Sequence, residues 1–206
     1  MDTQELPQIY LITPPSPDLS RFPDVLAQVL DSTAIACIRL DLASRDEDDV
    51  ARAADVLRAV AHARDVALVI SDHVLLAQRL GLDGVHLTDA ARSVRDARKT
   101  LGPDAIVGSY CGATRHDGIS AAEAGADYVS FGPVGASQLG DGAQAGAELF
   151  QWWSEMIEVP VVAEGGLDLA GMAALAPFTD FFGIGDEIWR TDDPAAALTG
   201  LINAMG

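Results

Sequence analysis

Short, almost unbroken apolar runs recur along the chain every 20–30 residues or so, at roughly the spacing of a strand followed by a helix: QIYLIT, AIACIRL, VALVIS, GVHL, AIVGSY, DYVSFG, VPVVAE and DFFGIG. They are rich in β-branched and aromatic residues, and they do not alternate apolar with polar. Strands of that kind are buried on both faces, which is the condition of a parallel sheet. Between them, DDVARAADVLRAVAHARD and AGAELFQWWSEMI place apolar residues at i, i+3 and i+4, the stripe by which a helix rests on a sheet. Strand then helix, repeated eight times within 206 residues, predicts an α/β chain closed into a (β/α)8 TIM barrel of compact size. A doubly wound open sheet is the competitor, but no G-x-G-x-x-G follows the first strand.

The cluster TPPSPDLSRFP sits where the first βα loop belongs. Its prolines cannot extend a strand, and they predict a helix starting no earlier than Asp24. No flexible linker or shift of composition divides the chain, so residues 1–206 read as one barrel domain.

Charge changes the picture. Thirteen Lys and Arg face 31 Asp and Glu, for a net charge of −18. Nucleic acid and anionic membranes are excluded as partners, since both need a basic surface. A small-molecule substrate remains, and a homo-oligomer is left open. The N-terminus, MDTQELPQIY, has neither a basic region nor an apolar core of the signal-peptide kind, and a cytoplasmic protein is expected. Cys37 and Cys111 both fall in apolar segments and read as reduced, packed thiols.

In a barrel of this type, chemistry gathers at the C-terminal ends of the strands. Those ends carry Arg39 and Asp41; Ser71, Asp72 and His73; His86, Thr88 and Asp89; Ser109, Tyr110 and Cys111; Glu164, Gly165 and Gly166; and Gly185, Asp186 and Glu187. The two-residue alternation of a strand turns Cys37 and Arg39 inward together. The mouth is thus expected to be rich in carboxylates and poor in cations. His86, inside GVHL, reads as a hydrogen-bonded core histidine. Of the adjacent Trp152 and Trp153, one is expected to face inward and the other a rim.

Four segments in order, YLIT, VALVISDHVLLAQRLGLDGVHL, GADYVSFGPV and VPVVAEGGLDL, resemble the thiamine phosphate synthase family, which also contains the thiazole tautomerases. The resemblance covers nearly the whole chain and implies a (β/α)8 barrel. It implies an enzyme that couples a pyrimidine-methyl pyrophosphate with a thiazole phosphate in thiamine biosynthesis, with Mg2+ holding the pyrophosphate. On that resemblance Arg39 and Asp72 are the expected catalytic residues, and Asp72 with Asp89 the expected metal ligands. Asp89 reads equally as the cap of a helix starting at Ala90. Ser71, Ser109, Tyr110, Ser137, Gly165, Gly166 and Gly185 are the expected substrate contacts, the last three as a phosphate cradle.

The chain departs from the family pattern in its cations. Where the second strand should end Q-x-R-E-K, it has Cys37-Ile38-Arg39-Leu40-Asp41. Where the loop after the sixth strand should grip pyrophosphate with threonines and a lysine, it has Ser137, Leu139 and Gly140. The tautomerase branch carries a histidine after its fifth strand, and Gly112 stands there. A degenerate pyrophosphate site is expected, leaving two further readings open: a tautomerase-like enzyme, or a non-catalytic barrel that binds a thiazole- or pyrimidine-like heterocycle.

Overall fold

The computed structural model describes residues 6–203 and Met205. Eight parallel strands close into a barrel in sequence order, the last pairing with the first. They are β1 (Gln8–Ile12), β2 (Ile35–Leu40), β3 (Ala67–Ser71), β4 (Gly84–Leu87), β5 (Ile106–Tyr110), β6 (Tyr128–Phe131), β7 (Val161–Glu164) and β8 (Phe181–Ile184). Each of the predicted apolar runs is one strand.

Alternation divides every strand between two cores. Ile9, Leu11, Ile38, Leu40, Leu68, Ile70, Val85 and Val107 point outward into the layer beneath the helices. Tyr10, Cys37, Val69, Tyr128 and Val162 point inward and fill the barrel itself. The inner filling is tight. A Cβ at Gly108 would stand 1.9 Å from Cζ of the Tyr128 ring, so only glycine leaves room for that tyrosine on the axis.

The helices follow their local signals. In α2 (Glu47–His62), Asp46 caps the first turn by accepting from the Asp48 and Asp49 amides, and Val50, Ala54, Leu57 and Ala61 form the buried stripe. In α6 (Ala147–Met156), Trp153 is buried edge-on against Phe131. Trp152 stays half-exposed under the guanidinium of Arg115, 4.5 Å from its ring centre, so the tryptophans divide as their adjacency predicts.

Part of the acidic excess closes the N-terminal rim. Asp83, Asp127 and Asp180 each precede an even-numbered strand, and each accepts a backbone N–H from the strand before it: Leu68 (2.7 Å), Val107 (2.8 Å) and Val161 (2.8 Å).

Two boundaries differ from expectation. The first helix, α1, is Phe22–Ser32, with Pro23 inside its first turn, where a missing N–H costs nothing. The helix expected at Ala90 begins at Val94 instead, as α4 (Val94–Leu101). Ala90 has a left-handed φ of 55°, and Asp89 accepts from the Ser93 amide (3.4 Å) and hydroxyl (2.5 Å). Those bonds close a turn before the helix can start. Among the described residues, no helix is long and apolar enough to cross a membrane.

Candidate functional site at the barrel mouth

Among the described residues, only two strand positions in the barrel carry a full charge, Arg39 at the end of β2 and Glu164 at the end of β7. Both take inward positions, and they meet. Arg39 Nη2 donates to Glu164 Oε2 at 2.7 Å and Nη1 to Oε1 at 3.1 Å, a bidentate pair with side chains 4% and 2% exposed. Burial alone would raise the Glu164 pKa, but the adjoining guanidinium overcomes it and holds the carboxyl down at about 2. The same partnership keeps Arg39 cationic against its own burial. Asp41 adds a second, longer contact to Arg39 at 3.5 Å.

The pair heads a buried column. Arg39 Nη1 also lies 2.8 Å from His86 Nε2, and a guanidinium can only donate, so Nε2 is the acceptor. The imidazole is then the neutral Nδ1–H form, which burial and the neighbouring Arg39 both favour by pushing its pKa well down. Nδ1–H donates to the Tyr128 hydroxyl (2.9 Å), whose own proton is left for the Tyr10 hydroxyl (2.5 Å). The donors run one way, from the mouth to the barrel floor. His86 is thus the hydrogen-bonded core histidine that its strand predicts.

Above Arg39 and Glu164 opens a cavity of about 930 Å³. Thr13, Asp41, Ser137, Leu139, Gly165, Gly166, Gly185, Asp186, Glu187 and Arg190 contribute to its walls. An adjoining cavity of about 220 Å³ shares Arg39, Asp41, Leu139 and Glu164, and adds His86, Thr88 and Tyr110. A separate cavity of about 580 Å³ lies at the opposite rim, around Met156, Phe178 and Asp180, far from this column.

Of the residues expected together, Arg39, Ser137, Gly165, Gly166 and Gly185 share the large cavity, and Tyr110 borders the small one. Ser109 does not join them. Its strand parity turns it outward, where its hydroxyl donates to the Ala90 carbonyl at 2.6 Å. Ser71 has the inward parity, but its hydroxyl is buried without a hydrogen-bond partner and lines neither cavity.

Asp72 stands aside as well. One carboxylate oxygen accepts from the Thr88 amide (3.0 Å) and the other from the Thr88 hydroxyl (2.6 Å). Asp89 is spent on Ser93, as described above. Among the described residues, no three His, Cys, Asp or Glu side chains assemble to hold a metal ion. Asp72 and Asp89 are engaged with Thr88 and Ser93 in this arrangement, and no chemical step is assigned through a metal. Asp41, Glu164 and Asp186 reach the cavity, together with Glu187, whereas Asp72 and Asp89 do not.

The glycine-rich loop after β6 is packed against β7 by its own backbone. The Val134 amide donates to the Gly165 carbonyl at 2.8 Å and the Gly135 amide at 3.0 Å, so neither remains free for an anion. Both cysteines are buried free thiols, each raised to about 12 by burial, which disqualifies them as nucleophiles at neutral pH.

Sequence reasoning passed over Arg190, Glu187 as a hydrogen-bonding group, and the pairing of Glu164. The last had a signal. Two opposite charges inside otherwise apolar strands of like parity must find each other or be left buried alone.

A family profile described as thiamine monophosphate synthase matches residues 9–179. A thiamine-phosphate synthase of Rhodospirillum centenum is 39% identical over 203 residues, covering 96% of this chain and 97% of that protein. One from Erythrobacter litoralis is 37% identical over 203 residues, covering 95% of each. Among solved structures, a thiamine phosphate pyrophosphorylase from Pyrococcus furiosus superposes with a TM-score of 0.81 at 20% identity, covering 97% of both chains. A 3-hexulose-6-phosphate synthase superposes at 0.70 with 17% identity, over 97% of this chain and all of the other.

Proposed function

The chain belongs to the thiamine monophosphate synthase family, and on that premise we propose that it couples a pyrimidine-methyl pyrophosphate to a thiazole phosphate through a pyrophosphate grip reduced to a single buried cation. The observation that carries this reading is Arg39, fixed at the cavity floor by Glu164 and His86. A guanidinium held in place faces the negative charge that develops on a departing pyrophosphate, and it needs no reorganisation to do so. Tyr110 and Leu139 give the flanking wall an aromatic and an aliphatic surface suited to a flat heterocycle. The Tyr110 hydroxyl is committed to the Gly132 carbonyl at 2.7 Å, which fixes its ring.

The grip is weak for a physical reason. The loop from Gly132 to Gly146 carries no lysine or arginine, and Leu139 and Gly140 stand where the family resemblance calls for a threonine and a lysine. Each preorganised charge-stabilising group removed from an active site typically costs roughly a hundredfold to a thousandfold in rate. The tautomerase reading gains no support, since Gly112 occupies the histidine position and His116 is exposed on α5 (Arg115–Ala124).

The test is product formation by the purified protein from both phosphorylated substrates with magnesium, beside Arg39→Met. Slow turnover, below about 1 per second and abolished in the variant, is the expected result. Turnover well above that figure would overturn the weakened grip. No product at all would favour a barrel that binds a heterocycle without coupling it.

A further inference from the structure

Tyr128 lines neither cavity of the mouth, yet the barrel keeps a place for it on its axis, in the space that Gly108 leaves by having no side chain. Its buried hydroxyl lies 2.9 Å from His86 Nδ1 and 2.5 Å from the Tyr10 hydroxyl. The imidazole and the tyrosine ring are 5.8 Å apart between centres and 20° apart in plane. The hydroxyl is thus the one contact that reads which nitrogen of His86 carries the proton.

That proton decides how Arg39 is held. His86 Nε2 lies 2.8 Å from Arg39 Nη1 and can accept from it only while the proton is on Nδ1. With the proton on Nε2, two donors would face each other in a buried place. The hydrogen bond made by one ring nitrogen sets the state of the other, and the Tyr128 oxygen accepts from Nδ1–H. Without that oxygen, Nδ1–H becomes a buried donor with no partner, and the tautomer that repels Arg39 gains ground. The remaining contacts leave the guanidinium a pivot. Glu164 accepts from Nη1 and Nη2, Asp41 lies 3.5 Å from Nη2, and Nε is buried with no hydrogen-bond partner. His86 holds the corner that stops the turn.

We propose that Tyr128 is a positioning residue which, acting through His86, keeps the Arg39 guanidinium aimed at the pyrophosphate that departs in the cavity above. Its effect on rate rests on the coupling reaction proposed above. Its effect on the His86 proton rests on the hydrogen-bonded column alone.

The experiment compares the wild type with Tyr128→Phe, and with Leu57→Ala as a control that weakens the outer core and leaves the column intact. Nitrogen-15 NMR of the His86 ring reads the tautomer. In the wild type Nδ1 is expected to carry the proton, and in Tyr128→Phe the two tautomers should mix or reverse. Coupling rates are measured at a temperature where all three proteins remain folded. In Tyr128→Phe, kcat and kcat/KM for the pyrimidine pyrophosphate should fall together by about tenfold to a hundredfold, the cost of a misplaced charge-stabilising group, with KM unchanged. Leu57→Ala should keep the wild-type kcat despite its lower stability.

A wild-type His86 with its proton on Nε2 would overturn the proposal without any variant, so the test survives poor folding of Tyr128→Phe. So would an unchanged tautomer or an unchanged kcat in Tyr128→Phe, or an equal loss of kcat in Leu57→Ala. A tautomer shift in Tyr128→Phe with no product from any of the three proteins would sustain the hold of Tyr128 on His86 and sink the coupling reaction instead.

Discussion

Arg39 and Glu164, 125 residues apart in sequence, form a bidentate ion pair at the top of the barrel core, with oxygens 2.7 and 3.1 Å from the guanidinium. The two side chains are only 4% and 2% exposed, and each makes the other tolerable. Such a pair contributes little net stability compared with an apolar filling, yet breaking it leaves an isolated charge in a dry interior. What it supplies is geometry, because the guanidinium can adopt only the orientation that satisfies Glu164 and His86 together.

Glu164→Gln is therefore expected to lower stability by about 3–5 kcal/mol in urea unfolding. The double replacement Arg39→Met with Glu164→Leu should recover most of that loss while abolishing any coupling activity. A Glu164→Gln protein as stable as the wild type would show that the pair does not balance a buried charge.

Acid should expose the same pair. The Glu164 carboxyl, about 2 in the folded protein, lies below its ordinary value near 4.5. The group therefore contributes stability in full above about pH 4.5 and loses it as pH falls towards 2, a change on the order of 3 kcal/mol. His86 acts earlier. Its depressed pKa means that only the unfolded chain gains a proton below about pH 6.5, which also favours unfolding. Unfolding free energies measured from pH 7 to pH 3 should fall in two stages. The lower stage should vanish in the apolar double variant, and its persistence there would assign it to other carboxylates.

Tyr128→Phe should cost about 1–3 kcal/mol, because it leaves the His86 Nδ1–H without its acceptor and the Tyr10 hydroxyl without its partner. Tyr10→Phe alone removes only the last link of the column and should cost less. In the double variant the losses should not add, since both remove the same bond between the hydroxyls. Strict additivity in the double-mutant cycle would mean that the tyrosines do not form one chain.

Asp72→Ala should destabilise by about 1–3 kcal/mol through loss of both bonds to Thr88 and through an alanine forced to the left-handed φ of 62°. Asp72→Asn keeps an acceptor and tolerates that backbone, so its loss should be smaller. If Asp72 binds metal instead, thermal melts of the wild type will rise with magnesium alone, and those of Asp72→Asn will not.

The sequence by itself determined the eight apolar runs, their burial on two faces and the closed barrel, because strand and helix periodicity are local properties of the chain. It also settled the inward parity of Cys37 and Arg39, and it carried the family resemblance. At the strand ends its reach shortened. Ser109 and Tyr110 are neighbours, and a single step of register decides which one faces the cavity. Asp72 and Asp89 had suitable chemistry at suitable positions, but Thr88 and Ser93 lay close enough to claim their oxygens first. Which partner a polar side chain takes depends on distances that do not exist until the chain has folded. Only barrel closure brings Arg39 to Glu164, 125 residues away, and only the joining of β7 to β8 lays the Glu187 carboxylate across the amides of Leu167 and Gly185.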